Sequence, residues 1–369
     1  MILFYLILPF VVFAVIRLLV ALFNFITSPT LRATKPISDN MVSVLIPVQN
    51  EEKNIENLLI DILDQTYTNI EVIVYNDRSV DSTSQVVLEY SKNNRNISLI
   101  SGTDLPEGWG GKNYSCHNLA QRAKGDYLIF LDAKVRLKPE FIENSLGFMQ
   151  KNRLALLSIF PNQIIKTLGE RIVVPLIQWI FISLLPLRLV QWSRKSFLSA
   201  ASEQMMMFKA DIYRKYQWHE QFKEKLFASN YISKSVKISQ YRAATLLGSE
   251  NDIRSREYNS YNETINGLSS GICDFFLGNH RVMIGLAAIT FFSPILIAFI
   301  MPFPLIFAYF FSVIMARLLV AQLSKQSLVL SVLLLPLQQY AFIQIVRKWM
   351  KVSNYRIFTM KGRKISPEQ

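Results

Sequence analysis

Acidic and amide side chains follow three apolar runs in this sequence, at the positions where predicted strands end. Asn50 and Glu51 follow the first run, Asp77 and Asp81 the second, and Asp132 the third. Because the carboxyl ends of neighbouring parallel strands meet at one edge of a sheet, we expect these groups to converge on a single crevice. Such oxygens can accept hydrogen bonds from a base or a ribose. Each segment taken alone also suits a helix N-terminus, where Asn50 or Asp81 would act as a cap.

Alternating strand and helix signals over residues 42–163 position these side chains. Short apolar runs predict buried strands, and apolar stripes at helical spacing predict the helices between them. The alternation predicts an α/β fold with a mostly parallel sheet covered on both faces. The predicted strands are 41–47, 70–75, 97–100 and 127–131, and the predicted helices are 51–64, 82–90, 113–122 and one starting at Lys138-Pro139.

A glycine-rich turn precedes the third of these helices. Gly108-Trp109-Gly110-Gly111-Lys112 resembles a phosphate loop, but Pro106 and Asn113 stand where the P-loop pattern needs glycine and Ser or Thr. The pattern therefore argues against an ATPase. Two interpretations of Lys112 remain: contact with a diphosphate, or a solvated lysine after a plain turn.

The composition indicates a membrane protein with one aqueous domain. Hydrophobic residues make up 51% and charged residues 18% of the 369 positions, and the apolar excess lies in the first thirty and last ninety residues. The net charge of +13 predicts a basic face that is attracted to the negative headgroups of the cytoplasmic leaflet. No basic–aromatic nucleic-acid motif is present, so no nucleic-acid partner is predicted. Cys116 and Cys273 predict no disulfide and no zinc site.

Several apolar segments predict the membrane arrangement. Residues 2–27, apolar apart from Arg17 and Asn24, predict a retained transmembrane anchor. Two helices are predicted at about 283–300 and 304–322, whereas Leu328–Val346 predicts a re-entrant or interfacial segment. An amphipathic element lying on the membrane is predicted for 171–192. Lysines and arginines near the spans predict a multi-pass cell-membrane protein whose middle domain is cytoplasmic.

At these motifs the chain resembles family 2 glycosyltransferases, whose donor-binding half is similar to residues 42–163, including Ser158-Ile159-Phe160-Pro161-Asn162-Gln163. With its apolar ends, the whole chain is similar to membrane-bound bacterial members such as the carotenoid (diaponeurosporenoate) glycosyltransferases. The resemblance implies a GT-A-type, Rossmann-like fold, a nucleoside-diphosphate sugar donor and a lipid or isoprenoid acceptor. Candidate donor-binding residues are then Pro47, Asn50, Glu51, Asp77, Asp81, Lys112, Asp132 and Lys134.

The resemblance also implies a division of the chain. It predicts a transmembrane anchor at 1–28, a cytoplasmic GT-A-like domain at 40–275, membrane segments at 283–346 and a basic tail at 347–369. The parts predicted within the domain are a donor half at 42–163, an interfacial helix at 171–192 and an acceptor half at 193–275.

One departure from the family concerns its divalent cation, Mg²⁺ or Mn²⁺. The family holds this ion with Asp-x-Asp, and this chain has Asp132-Ala133-Lys134. A hard cation needs several oxygen ligands, so Lys134 should weaken metal binding and leaves Asp132 as the metal-ligand candidate. An alternative is that the Lys134 ammonium itself neutralises the donor diphosphate.

A second departure concerns the general base. The family has a Glu-Asp pair at the start of a later helix, and Ala228 and Ser229 stand at those positions here. Neither side chain is a base near neutral pH, and Glu220 or Glu224 would need a helical shift to serve. The leading hypothesis is an inverting, membrane-anchored glycosyltransferase with atypical metal and base positions. The alternative is a catalytically weak or inactive relative that acts as a binding or assembly partner in a membrane pathway.

The remaining residues of chemical interest are interpreted as structural. His117, His219 and His280 are isolated in the sequence, so each is predicted to be a structural or surface histidine. Met205-Met206-Met207 is predicted to be a core or membrane-facing run.

Overall fold

The computed structural model describes residues 2–354, 358–360 and 363–365. Within it the chain divides into two compact units. One, here called the sheet unit, consists of Pro29–Ile164 and Arg188–Glu257. The other, here called the apolar unit, consists of the described residues of Met1–Ser28, Ile165–Leu187 and Tyr258–Gln369.

The strands follow the chain in this order: β1 (Val42–Val48), β2 (Ile70–Asn76), β3 (Ile97–Ser101), β4 (Tyr127–Leu131), β5 (Val135–Leu137), β6 (Leu156–Phe160), β7 (Asn162–Gln163), β8 (Met205–Lys209), β9 (Ala243–Leu247), β10 (Ile253–Ser255), β11 (Phe358–Met360) and β12 (Arg363–Ile365).

The helices are α1 (Ile2–Thr27), α2 (Glu52–Leu63), α3 (Thr83–Asn93), α4 (Gly111–Arg122), α5 (Phe141–Asn152), α6 (Leu168–Val173), α7 (Pro175–Leu184), α8 (Leu187–Trp192), α9 (Ala210–Tyr216), α10 (Trp218–Gln221), α11 (Ser229–Ile238), α12 (Tyr261–Phe275), α13 (His280–Ile300), α14 (Phe303–Leu323), α15 (Leu328–Leu333) and α16 (Leu335–Asn354).

A seven-stranded sheet with the order β3-β2-β1-β4-β8-β6-β9 forms the centre of the sheet unit. Strands β1 to β4 pair in parallel, β6 pairs in parallel with β9, and β8 runs antiparallel to its neighbours β4 and β6. The predicted α/β fold with a mostly parallel sheet is confirmed. The antiparallel β8 reverses the direction of the sheet and brings its own start to the carboxyl end of β4.

Alternation along the strands places core on both faces of the sheet. Val44 and Ile46 of β1 belong to one buried cluster and Leu45 to another, as expected when successive side chains point to opposite faces. Helix α2 covers the first cluster with the predicted apolar stripe, in which Ile55 and Leu58 are fully buried. Two covered faces explain why these strands are continuously apolar.

The apolar unit is helical. Three helices in the described part of the chain are long and apolar enough to cross a membrane: Phe4–Thr27 within α1, and the whole of α13 and of α14. This agrees with the predicted helices at 2–27, 283–300 and 304–322. Ile7, Val11 and Ala14 form a stripe on α1 that packs in one cluster with residues of α13 and α14.

Some predicted boundaries differ from the structure. The helix predicted to start at Lys138-Pro139 begins at Phe141, because Lys138 still accepts a turn hydrogen bond from the Phe141 N–H. The segment predicted at Leu328–Val346 forms α15 and α16 with a break at Leu334. Helix α12 belongs to the apolar unit.

Other predictions about the ends of the chain stay open. The predicted domain boundaries and the re-entrant character of the α15–α16 segment remain predictions. Part of the predicted basic tail, residues 355–357, 361–362 and 366–369, lies outside the described residues.

We expect Gly125→Ala to destabilise the sheet unit. A Cβ at Gly125 would lie 2.7 Å from the Ser43 backbone nitrogen and 2.8 Å from the Met41 carbonyl oxygen. Forcing a methyl group into such a space costs about 1–3 kcal/mol. Thermal unfolding should show a lower midpoint. The matched control is Gly285→Ala in α13, where a Cβ meets nothing within 4 Å. Equal midpoints for the two variants would contradict the prediction.

We expect the buried His219 to make the free energy of unfolding decrease in acid. The residue is 2% exposed, its Nδ1 lies 2.7 Å from the Tyr213 hydroxyl, and burial lowers its pKa to about 3. An unfolded histidine titrates near pH 6.5, so the unfolded state gains a proton first as the pH falls. The stabilisation present above pH 6.5 is therefore lost between about 6.5 and 3, by about 2 kcal/mol at pH 5.

Thermal unfolding at pH 7.5 and pH 5.0 measures this effect. The midpoint of His219→Gln should fall less between these two pH values than that of the unchanged protein, because the variant has no imidazole to protonate. An identical fall in both proteins would show that other groups cause the acid sensitivity.

Candidate functional site

The ends of three adjacent parallel strands bring the predicted acidic segments together. Strand β1 lies between β2 and β4, and Val48 pairs with Asn76 at the carboxyl ends of β1 and β2. The Asp77 N–H donates to the Val48 carbonyl at 2.8 Å, which ties the two strand ends together. Asp77 and Glu51 are largely buried, at 6% and 7% exposure, whereas Asn50 is exposed. The predicted convergence of these segments is therefore present.

Asp81 links the two loops that follow β1 and β2. One carboxylate oxygen accepts from the Thr83 N–H and hydroxyl at 3.1 and 2.5 Å, and the other accepts from the Glu52 N–H at 3.2 Å. Burial raises the pKa of Asp81, but these hydrogen bonds lower it more, so the net pKa lies below the usual value. Asp81 therefore stabilises the starts of both α2 and α3 as an anion.

Asn50 strengthens the same link instead of capping α2. It adopts a left-handed φ of 55°, its N–H donates to the Ser79 hydroxyl at 2.9 Å, and its Oδ1 accepts from the Val80 N–H at 2.9 Å. The helix-cap interpretation of Asn50 is wrong, because its side chain reaches the neighbouring loop. Pro47, the second-last residue of β1, is partly buried.

Lys112 is held between two carboxylates. Its ammonium donates to the Glu203 carbonyl at 2.8 Å and to Asp132 Oδ2 at 3.4 Å, and it lies 3.9 Å from Glu203 Oε2. Burial by itself lowers the pKa of Lys112, but Asp132 and Glu203 more than offset this and raise it above the usual value. The structure thus rejects a solvated lysine after a plain turn, and the two carboxylates favour its charged form.

Lys134 lies on the other side of Asp132. Its backbone N–H donates to Asp132 Oδ1 at 3.1 Å, and its ammonium donates to the Glu257 carbonyl at 2.9 Å and lies 4.0 Å from Glu257 Oε1. Burial and the nearby Asp132 raise the pKa of Glu257, while Lys134 and Lys112 oppose that rise. Two lysines therefore share the environment of Asp132.

Glu203 is a site residue that the sequence analysis missed. It precedes β8, and its Oε1 accepts from the Ser229 N–H at 2.6 Å. That N–H belongs to the first residue of α11, the helix at whose start the sequence analysis expects the family's paired carboxylates. Side-chain exposure of Glu203 is 13%. A carboxylate thus reaches the place where the sequence pattern lacks one.

The residues at the expected base positions have structural contacts. Ala228 is fully buried, and the buried Ser229 hydroxyl donates to the Ala201 carbonyl at 3.0 Å. The exposed Glu224 belongs to the segment just before α11. The Asn113 amide donates to the Lys223 and Lys225 carbonyls at 3.2 and 2.7 Å, which fixes that segment against the start of α4.

Gln204 and Glu257 were also missed as members of this cluster. The Gln204 amide donates to Ser255 Oγ at 2.7 Å and to Glu257 Oε2, and the Asp132 N–H donates to the Gln204 carbonyl at 3.0 Å. The signal available in the sequence was the polar pair Glu203-Gln204, directly before the apolar run Met205–Met207. This signal was weak, because only the antiparallel direction of β8 brings Glu203 and Gln204 beside Asp132.

The donor set around Asp132 does not fit a resident divalent cation. Such an ion needs several oxygen ligands around one point. In the described part of the chain, no group of three or more His, Cys, Asp or Glu side chains could hold a metal ion. The ammonium of Lys112 lies 3.4 Å from Asp132 Oδ2 and would repel an added cation.

The predicted minor residues behave as structural groups. His219 is buried in an aromatic cluster with Phe130 and Phe208, and Met205–Met207 are buried core of β8. Cys116 and Cys273 are buried. Burial raises the pKa of Cys116 to about 12, so its thiol is neutral at physiological pH.

Curated relatives match the same part of the chain. The chain is 32% identical over 126 residues to 4,4'-diaponeurosporenoate glycosyltransferase of Staphylococcus haemolyticus strain JCSC1435, covering 34% of this chain and 32% of the relative. It is 32% identical over 142 residues to the protein of that name in Staphylococcus aureus strain N315, covering 37% and 36%. The matches thus span about a third of the length of these relatives.

A solved structure shares the fold. A mannosyltransferase from Pyrobaculum calidifontis, in complex with GDP-Man and Mn²⁺, matches with a TM-score of 0.54 at 15% identity, covering 89% of this chain and 92% of that one. Residues 43–217 match the family model "Glycosyl transferase family 2". This match extends from β1 through α9 and includes every strand of the seven-stranded sheet except β9.

Proposed function

We propose that this protein is a membrane-associated glycosyltransferase that moves a sugar from a nucleoside-diphosphate sugar to a lipid-like acceptor. The observation that carries the proposal is the cluster of Lys112, Asp132, Lys134 and Glu203 beside the linked loops of β1 and β2. It combines fixed cations for a diphosphate with a carboxylate that can accept a proton.

The donor nucleoside is proposed to bind at the linked strand ends. Asp77 and Glu51 lie there beside the rigid loops that Asp81 and Asn50 hold together. A preformed site of this kind loses little conformational entropy on binding. Oxygen acceptors on adjacent strands suit the hydrogen-bond donors of a base and a ribose.

Two ammonium groups are proposed to bind the diphosphate in place of a metal ion. Lys112 and Lys134 flank Asp132, and the contacts of Lys112 with Asp132 and Glu203 keep it charged. Preorganised cations stabilise the negative charge that develops on a leaving diphosphate. This extends the interpretation of Lys134 from the sequence and adds Lys112 as a second cation.

Glu203 is proposed to accept the proton of the acceptor hydroxyl. Its carboxylate lies at the start of α11, hydrogen-bonded to the Ser229 N–H, and therefore occupies the region where the family pair is missing. As the hydroxyl oxygen attacks the anomeric carbon, its proton would pass to Glu203 and the bond to the diphosphate would break. The exposed Glu224 has no comparable position at the start of this helix.

A lipid-like acceptor at a membrane is proposed from two observations. Three described helices are apolar and long enough to cross a membrane. The two Staphylococcus relatives are named for glycosyl transfer to diaponeurosporenoate. A cytoplasmic orientation of the domain remains a proposal that rests on the distribution of lysine and arginine.

Lys134→Asp should create divalent-cation binding. The change removes an ammonium group and adds a second carboxylate beside Asp132, which supplies the oxygen ligands that Mn²⁺ or Mg²⁺ prefers. Titration calorimetry with MnCl₂ should detect binding to Lys134→Asp that exceeds binding to the unchanged protein. Lys134→Ala is the control, because it removes the charge without adding a ligand. Equal Mn²⁺ binding by the two variants would refute the idea that Lys134 stands in a metal position.

Glu203→Gln should abolish transfer while preserving donor binding. Loss of a general base costs about 10²–10⁴-fold in turnover, whereas the amide retains the size of the side chain and one oxygen that can accept from the Ser229 N–H. Sugar-nucleotide turnover with the native lipid extract as acceptor measures the first effect, and calorimetric donor binding measures the second. Glu224→Gln is the matched control and should retain activity.

A second-site change makes this test specific. Adding Ser229→Asp to Glu203→Gln places a carboxylate back at the start of α11 and should restore part of the turnover. Full activity of Glu203→Gln would exclude Glu203 as the base. Donor binding without any turnover by the unchanged protein would favour the alternative, a binding or assembly partner in a membrane pathway. Absence of donor binding would exclude both functions.

A further inference from the structure

Two buried arginines stack on one tryptophan within the apolar unit. The guanidinium carbons of Arg17 and Arg317 lie 3.7 and 4.0 Å from the Trp179 ring centroid. The residues belong to α1, α14 and α7 and are 6%, 2% and 4% exposed, respectively. Both arginines lie on helices that are long and apolar enough to cross a membrane. Ionisable residues in such segments usually mark a functional site.

Hydrogen bonding differs between the two arginines. Arg17 donates from Nε to the Ser183 hydroxyl at 3.0 Å and also from Nη2 to the same oxygen. Arg317 has no hydrogen-bond partner at Nε or Nη2 among the described residues, although both atoms are buried. These two nitrogens form one edge of the guanidinium fork, and such an edge matches the two oxygens of a carboxylate or phosphate.

The cluster also lacks a negative charge. None of the ion pairs between described residues involves Arg17 or Arg317. The indole ring attracts both cations but supplies no oxygen acceptor, and the arginines repel each other. Because an arginine does not lose its proton in a protein, a buried pair of this kind needs an anion, and the described residues supply none in an ion pair.

The surroundings indicate where that anion comes from. Arg317 lies six residues, or about 1.7 turns, before α14 ends at Leu323. The side chains of Phe310, Phe311 and Ile314, which lie within two turns of Arg317 on this helix, are exposed. A molecule that reaches the cluster past these side chains must itself have a large apolar part.

We propose that Arg17, Trp179 and Arg317 bind the oxyanion headgroup of a lipid, a carboxylate or a phosphate carried on a hydrocarbon chain. The Nε and Nη2 edge of Arg317 holds two oxygens of the headgroup, and Arg17 contributes a second positive charge. All three residues belong to the apolar unit, and occupancy of this site is measured without donor or turnover.

Paired lipids that differ in the headgroup test the proposal. Native mass spectrometry of the delipidated full chain in detergent would follow binding of oleate against methyl oleate, and of dioleoyl phosphatidic acid against dioleoylglycerol. Each pair keeps the hydrocarbon and removes the charge. At least one anion should bind about tenfold or more tightly than its uncharged partner. Preference for oleate identifies a carboxylate headgroup, and preference for phosphatidic acid identifies a phosphate.

Substitutions locate the binding to this cluster. Arg317→Gln should weaken binding of the preferred anion about tenfold or more, and Arg317→Lys should recover only part of it, because lysine retains the charge but not the planar fork. The matched control is Arg281→Gln, which removes the same charge from an exposed position at the start of α13. It should leave the affinity within about twofold.

Several results would overturn the proposal. Equal binding of the charged and uncharged lipids would show that no oxyanion is recognised, and this comparison needs no variant. Equal losses in Arg317→Gln and Arg281→Gln would show a general charge effect. Binding of inorganic phosphate as tightly as phosphatidic acid would show a soluble anion in place of a lipid.

Discussion

The arrangement of the candidate site depends on the contacts that the Lys112 ammonium makes with Asp132 and Glu203. The ammonium links α4, which carries it, to Asp132 at the end of β4 and to Glu203 at the start of β8. Without that cation, two carboxylates would face each other in a partly buried space, where like charges are costly. These contacts therefore link the end of the parallel strand β4 to the residue that precedes the antiparallel strand β8.

The site shows how carboxylate chemistry can be rearranged within one fold. Asp132 keeps its place at the end of β4, while Lys134 adds a positive charge beside it and Glu257 balances that charge. At the start of α11 the carboxylate comes from Glu203 on another element. Both changes preserve the local balance of charges, because each unusual residue has a partner of opposite sign.

The polar residues of the apolar unit follow a different rule. Asn24 donates to the Ile182 and Leu185 carbonyls at 2.7 and 2.8 Å and accepts from the Leu187 N–H at 2.8 Å, so it satisfies the backbone where α7 ends. Arg17, the other polar exception in α1, reaches Trp179 and Ser183 of the same helix α7. Unpaired backbone groups are expensive in an apolar setting, and Asn24 reduces that cost.

Much of this organisation is determined by the sequence itself. The periodicity of apolar residues and the local composition are properties of short segments. They therefore predict the strands from β1 to β4, the helices between them and the three long apolar helices. The parallel arrangement of those strands also predicts that the segments of Glu51, Asp77 and Asp132 lie at one edge of the sheet. Only the tertiary structure decided the positions of Glu203 and Arg317. Strand direction places Glu203 beside Lys112, and helix packing buries Arg317 against Trp179. Contacts between residues far apart in the chain leave no periodic signal, because they depend on which elements pack together.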